Sequence, residues 1–162
     1  MTRQSVSLIG APTDCGASTT GARMAPDALR VAGVAEAIRR FGIDVRDCGN
    51  IDGPANPQQP PVDGFRHLPE VLAWNRAVHD VVHNELQSGR LPILLGGDHS
   101  LSIGSISAVA RYCRDQRRKL RVLWFDAHAD FNTATLTPSG NLHGMPVACL
   151  CGRGPATLTG LA

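Results

Sequence analysis

Apolar and polar positions fall along the chain in blocks that predict alternating strands and helices. Val6–Ala11 is a short continuous apolar run bounded by a Gly/Ser/Thr-rich loop, and it reads as a buried strand. Pro26 marks a helix start, Val31, Val34, Ala35 and Ile38 repeat at helical spacing, and Gly42 follows Phe41 as a stop. Asp44–Cys48 is a second short strand. From about Leu68 to Gln87, an apolar stripe of Val71, Trp74, Val78, Val82 and Leu86 predicts a longer helix closed by Gly89. Leu91–Leu95 is a third strand, and Ser100 is placed to cap a helix over Leu101–Arg114. Leu120–Phe125, with only Arg121 polar, reads as a fourth buried strand. Residues 50–66 carry four prolines and no periodicity, and form a surface loop within one domain, residues 1–162.

This order predicts an α/β fold: three layers, α/β/α, around a mainly parallel sheet. In such sheets ligands bind beyond the carboxyl ends of the strands. Two strands end there in residues with metal-binding chemistry. The third runs into Gly96-Gly97-Asp98-His99-Ser100, and the fourth into Asp126, His128 and Asp130. If the chain stays extended, alternation puts the last three side chains on one face. Carboxylates with imidazole suit a hard or borderline divalent cation. The alternative is a solvated strand end.

Composition narrows the rest. At 162 residues, 43% hydrophobic and with a net charge of +2, the chain has the length of one ordinary domain and no strong bias towards nucleic acid or membrane. No apolar run reaches the roughly 18–20 residues of a membrane span. Five scattered cysteines, Cys15, Cys48, Cys113, Cys149 and Cys151, suit reduced thiols and a cytoplasmic setting. Cys149 and Cys151 read as small buried residues or as a soft-metal pair. Six Lys/Arg between Arg111 and Arg121 read as a solvated helix end. His79 and His83, at i, i+4, are a helix pair without the glutamate of a zinc-protease motif. The Gly16–Gly21 loop lacks both a phosphate-loop lysine and a dinucleotide fingerprint, which leaves a nucleotide binder the weakest option.

Taken together, GGDHS at Gly96–Ser100, DAHAD at Asp126–Asp130 and SGNLHGMP at Ser139–Pro146 resemble the arginase family of manganese ureohydrolases. The loop IGAPTDCGASTTGARMAPDALR extends the resemblance over nearly the whole chain. The first two motifs are shared with agmatinase. The third, with Asn132 and Thr137 before it, is similar to arginase in particular.

The resemblance implies hydrolysis of L-arginine to L-ornithine and urea through a metal-bridging hydroxide, with two Mn2+ per active site. His99, Asp126, His128 and Asp130 would be metal ligands, Asp126 bridging the ions, and Asp130 with His143 would be catalytic. His143 would move protons at the site's mouth. Asn132, Thr137, Ser139 and Asn141 would hold the amino-acid end of the substrate. It also implies a homo-oligomer, trimer or hexamer. Cobalt, nickel or iron in place of manganese stays open.

The chain is about half the family's usual length. The family's later Asp-x-Asp metal pair and its guanidinium-binding glutamate have no counterpart in this sequence. The expectation is an arginase-like fold truncated after about half, with an unpaired sheet edge and exposed apolar surface. Three functional readings follow: arginase; agmatinase or another ureohydrolase; and a non-catalytic metal- or arginine-binding fragment or subunit that needs a complementing chain.

Overall fold

The computed structural model describes residues 5–161. Its centre is a parallel three-stranded sheet of β1 (Ser5–Ala11), β2 (Asp44–Asn50) and β3 (Leu91–Gly96), in the order β2-β1-β3. β1 is central because it carries apolar side chains on both faces, as a strand covered on two sides must. Ile9 and Ala11 join one core cluster, while Val6 and Leu8 join the other.

The first cluster lies under α3 (Leu68–Gln87) and α4 (Ser102–Asp115), with α5 (Pro146–Leu150) and α6 (Ala156–Thr159) beside them. Val71, Trp74, Val78 and Val82 of the expected α3 stripe are all buried, and Leu86 packs at the margin. Gly104 lets α3 and α4 approach closely, because a Cβ there would lie 2.2 Å from the Asn75 carbonyl oxygen. The second cluster is covered by Val34, Ala35 and Ile38 of α2 (Val34–Arg39). Helices thus cover both faces of the sheet, giving the three-layer α/β/α arrangement.

Three expectations about elements change. The helix beginning at Pro26 is two helices, α1 (Ala25–Val31) and α2. Gly33 between them adopts φ 82°, a left-handed conformation that breaks the ladder, and Val31 faces solvent instead of the core. Ser100 is not the helix cap. Asp98 caps instead, accepting a hydrogen bond from the Ser100 N–H at the 3-10 turn His99–Leu101 that leads into α4.

The third change concerns Leu120–Phe125, which is not a strand. A strand is defined by its ladder, and among the described residues no neighbour pairs with this segment. Most of its side chains are accordingly exposed, Leu123 at 70% and Phe125 at 92%, while Trp124 is partly covered. β3 is the last strand of the sheet, and its outer edge has no partner among the described residues. The Pro-rich segment 50–66 is a surface loop containing one bridge, Val62 to Phe65.

A polar network anchors the opposite end of the sheet. Glu85 of α3 accepts from Ser7 on β1 and from Arg46 on β2. Arg90 then donates to Ser7 (2.8 Å), to Asp44 (3.0 Å) and to the Val6 carbonyl (2.7 Å). α3 is thereby fixed across two strands by charge-assisted bonds.

Candidate metal centre

β3 delivers His99 through a turn that only glycine permits. A Cβ on Gly97 would lie 1.8 Å from the Thr13 carbonyl oxygen, so the backbone after β3 sits directly against the loop after β1. The Gly97 and Asp98 N–H groups donate to the Ala11 and Thr13 carbonyls at 3.1 Å each. Asp98, buried, accepts from the Gly16 N–H at 2.9 Å and from the Ser100 N–H at 2.9 Å. The Gly16 carbonyl in turn accepts from the His143 N–H at 3.1 Å. Three loops, after β1, after β3 and before α5, therefore meet at one point.

His99 Nδ1 lies 2.9 Å from Asp126 Oδ2 and 2.9 Å from Asp130 Oδ2. One ligand atom from each residue falls within 4.8 Å of the others. Both carboxylates are largely covered, while His99 is about half exposed and stands perpendicular to the Trp124 ring, with centroids 6.3 Å apart. The backbone N–H of His128 donates to Asp126 Oδ1 at 2.8 Å. This bond, reinforced by the positive potential of His99, holds the Asp126 carboxyl below the usual carboxylate range against the effect of burial. Two carboxylates beside a single imidazole form an electronegative pair that a divalent cation neutralises, and the donor set fits manganese.

Asp126, His128 and Asp130 do not converge by strand alternation. The chain bends after Asp126, and Asp130 takes φ 46°, which turns its carboxylate back towards His99. His128 stays outside the cluster. Its side chain is 80% exposed, with Nδ1 3.3 Å from Asp126 Oδ1.

On the following loop, Thr137 Oγ1 accepts from the Gly140 N–H (3.1 Å) and Ser139 Oγ from the Asn141 N–H (3.3 Å). Both hydroxyls thus shape the turn. Asn141 is buried, taking a hydrogen bond from Arg66 Nε (2.8 Å) and donating to Ser18 Oγ (3.0 Å). Asn132 is exposed, and its N–H donates to the Gly144 carbonyl. His143 Nε2 lies 3.5 Å from Asn141 Nδ2. Asp98, Gly16, Ser18 and Arg66 are supporting residues that sequence reasoning missed. Asp98 carried a signal inside GGDHS, whereas Arg66, at the end of the Pro-rich loop, carried none.

Cys149 is buried and its thiol is pushed up to about 11 by desolvation, while Cys151 is exposed. Only Cys149 is therefore the small buried residue expected of both; Cys151 faces solvent.

Residues 4–158 match the family described as "Arginase family". The chain belongs to the arginase family. An arginase from Brucella melitensis is 42% identical over 147 residues, which is 90% of this chain and 48% of that protein. The Bacillus caldovelox arginase is 42% identical over 156 residues, covering 95% of this chain and 51% of that protein. The crystal structure of the latter superposes with a TM-score of 0.88 at 39% identity, over 98% of this chain and 52% of that one. The Entamoeba histolytica arginase in complex with L-ornithine also gives 0.88, at 34% identity, covering 99% of this chain and 54% of that one. The chain spans about half the length of the arginases it matches. Agmatinase structures share the fold at under 25% identity. Among the described residues, no helix is long and apolar enough to cross a membrane.

Proposed function

We propose that this chain supplies the metal-gathering and amino-acid-recognising part of a manganese-dependent arginase site, which hydrolyses L-arginine to L-ornithine and urea. The observation that carries this reading is the His99–Asp126–Asp130 cluster at the carboxyl end of β3, within an arginase-family chain. His99, Asp126 and Asp130 would hold the metal, with Asp126 shared between two ions. His128 would join by a side-chain rotation, since its ring already stands beside Asp126.

Bound manganese would supply a nucleophile at neutral pH by lowering the pKa of coordinated water. A guanidinium carbon is a poor electrophile, so its attack needs a strong nucleophile at neutral pH. Asp130 counts as catalytic through its place in the ligand set. His143 would pass a proton to the departing amine, a task suited to an imidazole near neutral pH. Asn132, Thr137, Ser139 and Asn141 lie on the loop leading to His143 and would bind the α-amino and α-carboxylate groups. The L-ornithine complex of the Entamoeba histolytica arginase supports an amino-acid ligand for this fold.

Two adjacent divalent ions need more anionic donors than this cluster brings. The site would be completed by a further polypeptide segment that pairs with the outer edge of β3 and covers Leu120–Phe125. A cytoplasmic setting suits the free thiols.

The test is manganese stoichiometry and urea release on one monodisperse sample, with arginine and agmatine compared as substrates. Urea from arginine alone, with two ions per active site, supports the reading. Equal turnover of agmatine would favour a broader ureohydrolase. Metal or arginine binding without urea would make the chain a non-catalytic binding subunit.

A further inference from the structure

A second group of imidazoles lies away from the β3 edge, between α3 and α4, and the arginine reading gives it no role. His79 and His83 sit one turn apart on α3, on the same face of the helix. Their rings are parallel within 2°, with centroids 6.0 Å apart. Both Nε2 atoms are buried, and neither has a hydrogen-bond partner among the described residues. A buried polar nitrogen without a partner is uncommon in a folded protein and calls for an explanation.

The surroundings of the pair favour a cation. His79 Nδ1 is 3.0 Å from Asp80 Oδ1. Where Nδ1–H donates to such a carboxylate, Nε2 is the nitrogen left to bind, which is the usual arrangement of an outer carboxylate behind a metal-binding histidine. Asp115, the last residue of α4, brings Oδ2 to 3.9 Å from His83 Nε2. That distance is too long for a hydrogen bond, but it puts a negative charge beside the second nitrogen.

We propose that His79, His83 and Asp115 form a second metal site, with Asp80 as the outer carboxylate. Two imidazoles and one carboxylate favour zinc, copper or nickel over manganese. Histidines at i, i+4 are a known chelating pair. Here the rings are parallel, so binding turns each towards the other about χ2, with Asp115 closing the site from α4. Such an ion would clip α3 to the carboxyl end of α4 and is independent of the arginine reading.

The test uses the full chain carrying His99→Asn and Asp126→Asn, which removes donors at the β3 edge, titrated with Zn2+ in a calorimeter. One zinc per chain is expected to remain. Asp80→Asn changes a side chain that is 75% exposed, so the fold should tolerate it. It should weaken zinc binding roughly 10–100-fold, as loss of an outer-sphere carboxylate does. His83→Gln should abolish the binding. In the same background, Cu2+ should give an electron paramagnetic resonance spectrum with coupling to two nitrogens, a readout that does not depend on His83→Gln folding. Absence of zinc binding in the starting variant, an affinity unmoved by Asp80→Asn, or a copper spectrum without two-nitrogen coupling would overturn the proposal.

Discussion

His99 Nδ1 and Asp130 Oδ2 stand 2.9 Å apart although the residues are 31 positions apart. The contact exists because Gly97 admits a tight turn after β3 and because Asp130 takes a left-handed backbone conformation. Asp130→Asn keeps the shape and removes one anion. Outer-sphere losses cost about 10–100-fold in metal affinity, so loss of this direct donor should exceed roughly 100-fold. Manganese calorimetry on the folded variant checks this, and unchanged affinity would exclude Asp130 as a ligand.

Gly97→Ala tests the close approach of the two loops. A methyl group 1.8 Å from the Thr13 carbonyl oxygen forces the backbones apart. Overpacking of this kind costs about 1–3 kcal/mol or more. A urea unfolding midpoint should fall, and manganese binding should weaken with it, because His99 and the β1 loop move together.

Glu85→Ala tests the network at the other end of the sheet. Ser7 on the central strand and Arg46 on β2 would both lose their carboxylate acceptor. An unsatisfied buried polar group costs about 1–3 kcal/mol. The loss should appear in stability, with manganese affinity per folded chain unchanged, since the network lies far from the carboxyl ends of the strands.

Asp47 gives a pH dependence of definite sign. Arg30 donates through Nε (2.8 Å) and Nη2 (3.0 Å) to this carboxylate, and the pair holds its pKa below the ordinary value. A lowered folded-state pKa stabilises the protein above the unfolded value, and the contribution disappears as pH falls through the folded one. Asp47 is a little over one-third exposed, so solvent screening limits the effect to about 0.5–1 kcal/mol. Asp47→Asn should therefore lower stability at neutral pH, and the gap to the unsubstituted chain should begin to close below about pH 4. A constant gap down to strongly acid pH would disprove the linkage.

The layers, and the meeting of His99 with Asp126 and Asp130, were legible in the sequence for a physical reason. β1, α3, β3 and α4 bury regular apolar patterns, and their bounds follow those patterns closely. Leu120–Phe125 carries an equally apolar pattern yet has no ladder, because pairing depends on a neighbour that the pattern cannot specify. His99, Asp126 and Asp130 converge as their motifs imply, but through turn geometry and not through alternation. His128 illustrates the difference: alternation would place it with Asp126 and Asp130, yet its side chain faces solvent. The support given by Arg66 and Ser18 to Asn141 is tertiary, joining residues with no shared local pattern.

Gly16 has a consequence for how the chain can vary. Its N–H is held by Asp98, next to His99, and its carbonyl holds the N–H of His143. The two ends of the proposed reaction are thus spaced by a single residue acting as a gauge block. Side-chain changes at the rim can alter which molecule enters. They cannot lengthen this spacer, and a Cβ at Gly16 would lie 2.5 Å from Asp98 Oδ1. The chain can exchange its ligand preferences more easily than the distance over which it works.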